Sequence, residues 1–230
     1  MKKEQISESL QLGILLALAG GFMDAYSYVC RGHVFANAQT GNILLMGIDL
    51  SEGNWLAALR YGCPVFAFAV GIAIADVTRL TLKGTKILHW RQLTILLEAV
   101  VLLFVSFLSQ NVNLLANSLT SFACGIQVET FRKINGHGIA TTMCIGNLRT
   151  ATQSISQFFH TQNKEDARKG ILFYGIILFF VIGAVLGNFC VTIWQERAII
   201  ACDLFLLAGF LMMFIDREKE NVNNQRHLSD

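Results

Sequence analysis

Four acidic residues stand inside stretches that are otherwise apolar: Asp24, Glu98, Glu129 and Asp203. A carboxyl group in such a run is costly unless it faces a cavity, an ion or a partner. Asp24 and Glu129 each close an apolar run before a glycine-containing turn, Arg31-Gly32-His33 after the first and Asn135-Gly136-His137-Gly138 after the second. Their chemistry would be to bind or relay a cation, or to hydrogen-bond a solute. A structural cap or an ion pair, with Arg31, Lys133 or Arg149, is the plainer alternative. Glu98 and Asp203 lie within apolar helices, where a hydrogen bond to a neighbouring helix, worth about 1 kcal/mol, competes with a functional role.

Two turns add polar groups of another kind. Thr40-Gly41-Asn42 and Gly146-Asn147 read as the starts of half-helices, and Gln127 stands two positions before Glu129. A half-helix N-terminus offers free N–H groups and a positive dipole end, suited to an anion or carboxylate. Close packing where two such turns meet explains them equally well. His33 and His137 follow the two breaks, where loop histidines are commoner than proton relays. The six cysteines make no CxxC or metal-ligand spacing, and neither a cofactor nor a metal is expected.

These residues recur at a fixed interval. Gly20 and Gly125, Asp24 and Glu129, Gly41 and Gly146, Asn42 and Asn147, and Glu98 and Asp203 are each 105 positions apart. A third matched stretch, Phe68-Ala69-Val70-Gly71 with Phe180-Val181-Ile182-Gly183, is 112 apart. Repeats built around interrupted helices are a recurring plan of membrane transporters.

The elements that must position these groups are apolar segments at about 9–30, 34–48, 56–78, 92–109, 113–132, 138–158, 171–194 and 198–215. The chain is 53% hydrophobic with a mean hydropathy of +0.50, well above an ordinary soluble domain. Segments 34–48 and 138–158 are the odd ones, being short or rich in Asn, Thr and Gln. If both dip into the membrane and return, 14 of the 18 Lys and Arg fall on one side. That side is then the cytoplasm, with both termini on it. If all eight segments cross, the bias nearly vanishes. Lys2 and Lys3 before an apolar run, with Ala17-Leu18-Ala19 after it, resemble a signal peptide. Cleavage is not expected, because it would remove most of the first helix.

At Gly21-Phe22-Met23-Asp24-Ala25, Phe35 and Thr40-Gly41-Asn42, with an echo at Gly125-Ile126-Gln127 and Thr141-Thr142…Gly146, the sequence resembles the YoaK-like family of bacterial inner-membrane proteins, a domain of unknown function. The resemblance covers nearly the whole chain and implies about six helices and the bacterial plasma membrane. Ile145 departs from the family pattern, which more often has threonine before that glycine.

The expected fold is an all-α polytopic membrane protein. It has six transmembrane helices plus two re-entrant or broken segments, built as a 3+3 inverted repeat. It forms one domain over residues 1–230, with repeats at about 9–109 and 113–215 and a flexible tail at 216–230. The expected function is a small-solute transporter or channel with its site between the repeats, in which Asp24, Glu129 or Glu98 would carry any proton coupling. The alternative is a membrane scaffold or a subunit of a larger complex. No enzyme motif appears. Expected partners are the lipid bilayer and a small solute or ion; a homodimer is compatible with this size, and no nucleic acid is expected.

Overall fold

The computed structural model describes residues 9–82 and 90–229, with side chains through Phe214. Helix α1 (Leu10–Cys30) opens at Ser9, whose hydroxyl accepts the Leu12 N–H at 3.3 Å. An extended stretch leads to α2 (Gln39–Ser51), and a short turn at Gly53 leads to α3 (Trp55–Leu82). Helix α4 is described from Trp90 to Val105. The second half repeats the order with α5 (Asn113–Thr130), α6 (Cys144–Thr161), α7 (Lys164–Trp194) and α8 (Ile200–Ser229). Asn163 caps α7, accepting the Glu165 N–H at 3.1 Å, with Glu165 and Asp166 in the first turn where the dipole favours acids.

Three helical stretches are long and apolar enough to cross a membrane by length and composition: Leu10–Cys30, Trp55–Leu82 and Lys164–Phe214. The last holds α7 and α8 together. The described part of α4 has 16 residues, and α5 carries Asn117, Thr120, Ser121 and Gln127 on its buried face. The odd segments start later than expected. Helices α2 and α6 begin at Gln39 and Cys144, because residues 34–38 and 139–143 are non-helical. The fold is also not wholly helical: Lys133–Ile134 (β1) and His137–Gly138 (β2) form a small antiparallel hairpin. Its turn, Asn135-Gly136, has positive φ at both residues, the usual two-residue hairpin geometry. The expected tail at 216–230 has helical backbone through Ser229, and its side chains lie outside the described residues. So do residues 83–89 and the lysines at 83 and 86 counted in the charge pattern.

Helix α1 packs on α7, and α3 packs on α5; α2 lies on α3 and α6 on α7; α4 contacts α5 and α8 contacts α1. Glycines allow the two main crossings to close to backbone contact. A Cβ at Gly21 would overlap the Phe180 carbonyl, and one at Gly183 would overlap that of Leu18. In the other crossing a Cβ at Gly125 would overlap the Phe68 carbonyl, and one at Gly71 that of Phe122. Phe68 and Phe180, like Gly71 and Gly183, take matching places at the interval of 112. On α1 and α5, however, the matching pairs are Gly21 with Gly125 and Leu18 with Phe122, which are 104 apart, not 105. The buried stripe of α4 agrees with that of α8 and the short turn before it: Thr94, Ile95, Glu98, Leu102 and Val105 match Ala198, Ile199, Cys202, Leu206 and Gly209, again at 104.

That register corrects the acidic pairs. Asp24 corresponds to Val128, Glu129 to Ala25, Glu98 to Cys202 and Asp203 to Ala99. Identity of residue type outweighed packing in the sequence alignment. One residue on a helix is a rotation of about 100°, so the acids of each pair point in different directions. The Gly-Asn turns do keep the interval of 105, because α5 stops four residues earlier than α1 in this register and the linker after it is five residues longer.

Candidate functional site

The stretch 31–38 turns back along α1. The Asn37 amide Nδ2 donates to the Gly20 carbonyl at 3.0 Å, ten residues short of the last residue of α1. The Asn37 backbone N–H donates to Asp24 Oδ1 at 2.7 Å, and the N–H groups of Ala36 and Ala38 also contribute. Asp24 therefore holds the turn from which α2 starts, the place where the sequence suggested an anion would bind. Helix α2 then runs back to the end where α1 finished. Arg60 donates to the Gly32 carbonyl at 2.9 Å, so α3 starts at that same end.

The second linker behaves likewise but enters beside the start of α1. Ile134 packs against Gly13, and Thr142 lies against Gly20. Gln127 Nε2 donates to the Leu16 carbonyl at 2.9 Å and to Thr141 Oγ1 at 3.2 Å. Helix α6 returns alongside the first turns of α7, where Thr152 and Tyr174 hydroxyls lie 2.9 Å apart. Two helix-breaking hairpins thus reach α1 from its opposite ends and meet at Gly20.

The repeated asparagines clamp these hairpins. Asn42 Oδ1 accepts the Phe35 N–H at 3.0 Å, while its Nδ2 donates to Phe35 O at 2.8 Å and Gln39 Oε1 at 2.9 Å. Asn147 Nδ2 donates to Ala140 O at 2.7 Å. The bonds to Phe35 and Ala140 each span seven residues, from the first turn of a half-helix to the extended stretch before it. Gly41 makes room for the Phe35 ring, whereas nothing lies near Gly146. Thr40 is exposed and takes no place in the clamp.

The other acids separate by environment. Glu129 pairs with Arg132 at 3.4 Å, a neighbour none of the sequence alternatives included. Glu98 is fully buried, with neither carboxylate oxygen hydrogen-bonded. Asp203 is half-buried, and its Oδ1 lacks a partner. Cys124 sits between these groups, beside the Asn37 side chain and within electrostatic reach of Asp24, Glu98 and Cys202. Asn37 Oδ1, Gln127 Oε1 and Thr142 Oγ1 are likewise buried without a partner. Of the residues singled out from the sequence, Asp24 joins the first hairpin to α1 and Gln127 joins α5 to α1 and to the second; Glu129 pairs with Arg132 instead. No cluster of three His, Cys, Asp or Glu able to hold a metal occurs among the described residues.

Arg31, Asn37, Asn117, Thr141 and Thr142 were not singled out from the sequence as site residues. Arg31 is buried and donates to Tyr26 Oη at 2.8 Å, Asn113 Oδ1 at 3.2 Å, and the carbonyls of Val105 and Leu108 at 3.2 and 2.8 Å. It caps the C-terminal end of α4, where a cation suits the helix dipole. Asn117 ties that corner to α1 by donating to Arg31 O at 2.8 Å and accepting from Ser27 Oγ at 2.8 Å. Asn37 carried one usable signal, a polar residue beside a Gly-Asn turn in an apolar run.

The family model described as a protein of unknown function, DUF1275, matches residues 12–212. The chain belongs to the DUF1275 family. The UPF0700 transmembrane protein YoaK of Bacillus subtilis strain 168 is 28% identical over 181 residues, spanning 75% of this chain and 79% of that protein. No solved structure matches. With its apolar helices and this relative, the DUF1275 chain is an integral membrane protein.

Proposed function

We propose that this protein is a small-solute or ion transporter or channel of the bacterial plasma membrane. In this reading it is a 3+3 inverted repeat with six crossings, two re-entrant hairpins and both termini cytoplasmic. The observation that carries it is the meeting of two hairpins, from opposite ends of α1, at one turn around Gly20, where buried oxygens are left without partners. Irregular backbone at membrane depth is tolerated where it is buried in protein or lines a path. The matched crossings α1 on α7 and α3 on α5 support the repeat. A site at the meeting point of two repeats could be exposed to either side by rocking one against the other.

The test is flux through purified protein in liposomes. Cation jumps are read electrically, and glycerol and urea by light scattering. Transport above that of protein-free liposomes, reduced by Thr142→Val, supports the reading; no flux of any tested solute would remove it. Topology is tested separately. A cysteine introduced between Leu82 and Trp90 of a cysteine-free variant should resist impermeant maleimide in intact cells, and labelling from outside would overturn the cytoplasmic placement.

One observation favours a membrane scaffold instead. Asn42 and Asn147 are buried at 0% and 3% exposure and make bonds within their own hairpins. The Gly-Asn turns are therefore structural ties. The candidate path rests on Asn37, Gln127 and Thr142, not on the turns themselves.

A further inference from the structure

The structure assigns the meeting point of the two hairpins to a monovalent cation, held by Asn37, Gln127 and Thr142 with Glu98 supplying the charge. This rests on the transport reading and names its substrate class. The orientation of each amide is fixed by what its nitrogen does. Asn37 Nδ2 donates to Gly20 O, and Gln127 Nε2 donates to Leu16 O and Thr141 Oγ1. Their oxygens must then face the other way, and both are buried with no donor in reach. Gly20 and Leu16 are one helical turn apart, so the two amides stack along one face of α1. Thr142 sets its methyl against Gly20, and its Oγ1 is buried and unpartnered.

What is missing from this group decides the ligand class. The amide oxygens of Asn37 and Gln127 can only accept, and the Thr142 hydroxyl can accept as well as donate. An anion has no place here. The linker amides just before α2 already serve Asp24, and Arg31 is committed to Tyr26, Asn113 and two carbonyls. Glu98 adds a fully buried carboxyl with both oxygens unpartnered, on α4 and within electrostatic reach of Cys124, which lies one helical turn before Gln127 on α5. Buried acceptors without donors cost stability, and a cation ringed by oxygens removes that cost. With neutral oxygens and one carboxyl, the site suits a singly charged ion better than a divalent one, which takes six or more oxygens with several charges.

The test is tracer binding to the purified full-length protein, using radioactive sodium and rubidium ions with choline as the non-binding control. We expect saturable binding of at least one ion. Thr142→Val and Gln127→Met should each weaken it about tenfold or more, by loss of one oxygen from a charged ligand. Glu98→Gln should abolish it. A second readout separates a site from a fold contact. In choline buffer, Thr142→Val and Glu98→Gln should melt at the wild-type temperature or above, because neither removes an existing hydrogen bond. Failure of both ions to bind folded protein would overturn the proposal. So would wild-type binding in Thr142→Val and Glu98→Gln, which would leave these oxygens to water. Neutral-solute flux without cation binding would sink the cation site and keep the transporter; binding without flux of any solute would do the reverse.

Discussion

The two hairpins share a plan and differ in how firmly they are held. In the first, Asp24 takes the backbone amides of the turn, Asn42 makes three ties, and the Phe35 ring fills the space over Gly41 and stacks on Tyr28 with ring centres 5.0 Å apart. In the second, Val128 stands where Asp24 would be, Asn147 makes one tie, Gly146 has open space around it, and the hold comes instead from Gln127 and the β1–β2 pairing. Their outer faces differ too. Helix α2 exposes Ile43, Leu44 and Ile48, as lipid contact requires. Helix α6 exposes Ile145, Leu148 and Phe159 together with Arg149, Thr152, Gln153, Ser156 and Gln157, a more polar face that is costlier to place in hydrocarbon. In the proposed transport reading the first hairpin is the fixed wall of the site, and the second is the element that moves against it. A transporter with one anchored and one loosely tied hairpin can open its site from one side without unfolding the other.

The largest effect should come from removing the anchor that only the first hairpin has. Asp24→Ala leaves buried backbone N–H groups without an acceptor, at a cost of about 2–3 kcal/mol. Glu129→Ala breaks only an ion pair whose Arg132 is half exposed, within about 1 kcal/mol. Thermal unfolding in detergent of both variants checks the contrast, and equal losses would erase it. Asp24→Asn keeps an acceptor oxygen and should recover most of the lost stability. If that variant folds normally but loses flux, Asp24 has a transport role as well as a structural one.

A smaller difference is expected between the clamps. Asn42→Ala removes three hydrogen bonds, and Asn147→Ala removes one. At about 1 kcal/mol per bond, the first should cost roughly 3 and the second roughly 1. Protease cleavage should follow the same order, appearing in residues 31–38 of Asn42→Ala before residues 131–143 of Asn147→Ala. The reverse order would mean that the second hairpin, not the first, is the fixed wall.

Much of this plan was legible in the sequence. Apolar runs located the helices, and the Gly-Asn turns marked both hairpins, since a polar tie inside an apolar run has few other uses. What residue types could not supply was register. A matched pair of acids pulled the alignment to 105, while the glycines that let α1 touch α7 and α5 touch α3 hold it at 104. Backbone contact leaves no freedom to slide, whereas an acid one position along is simply pointed elsewhere. Arg31 was hidden for a related reason. A buried arginine bonded to the carbonyls ending α4 looks, in sequence, like an ordinary loop charge. The sequence showed where polar groups lay, but not which of them had used up their hydrogen bonds, and the candidate site is defined by those that had not.

The finest test of the comparison is one methyl group placed at each Gly-Asn turn. Both glycines sit in the first turn of a half-helix, so in both places alanine gains helix propensity, roughly 0.5–1 kcal/mol. The surroundings decide the sign. At Gly41 the new Cβ would lie 2.8 Å from the Phe35 ring, which Tyr28 holds from its other side, so the ring must shift at a cost of about 1–3 kcal/mol. At Gly146 nothing lies within 4 Å, and the gain is kept. Gly41→Ala should therefore lower the melting temperature and Gly146→Ala raise it slightly, measured side by side in the same detergent. A drop for Gly146→Ala would show that the open space over the second hairpin is filled in the membrane, by lipid or by a second copy of the chain. The loosely tied hairpin would then be held by something outside this chain, and its freedom to move would have to be granted by that partner.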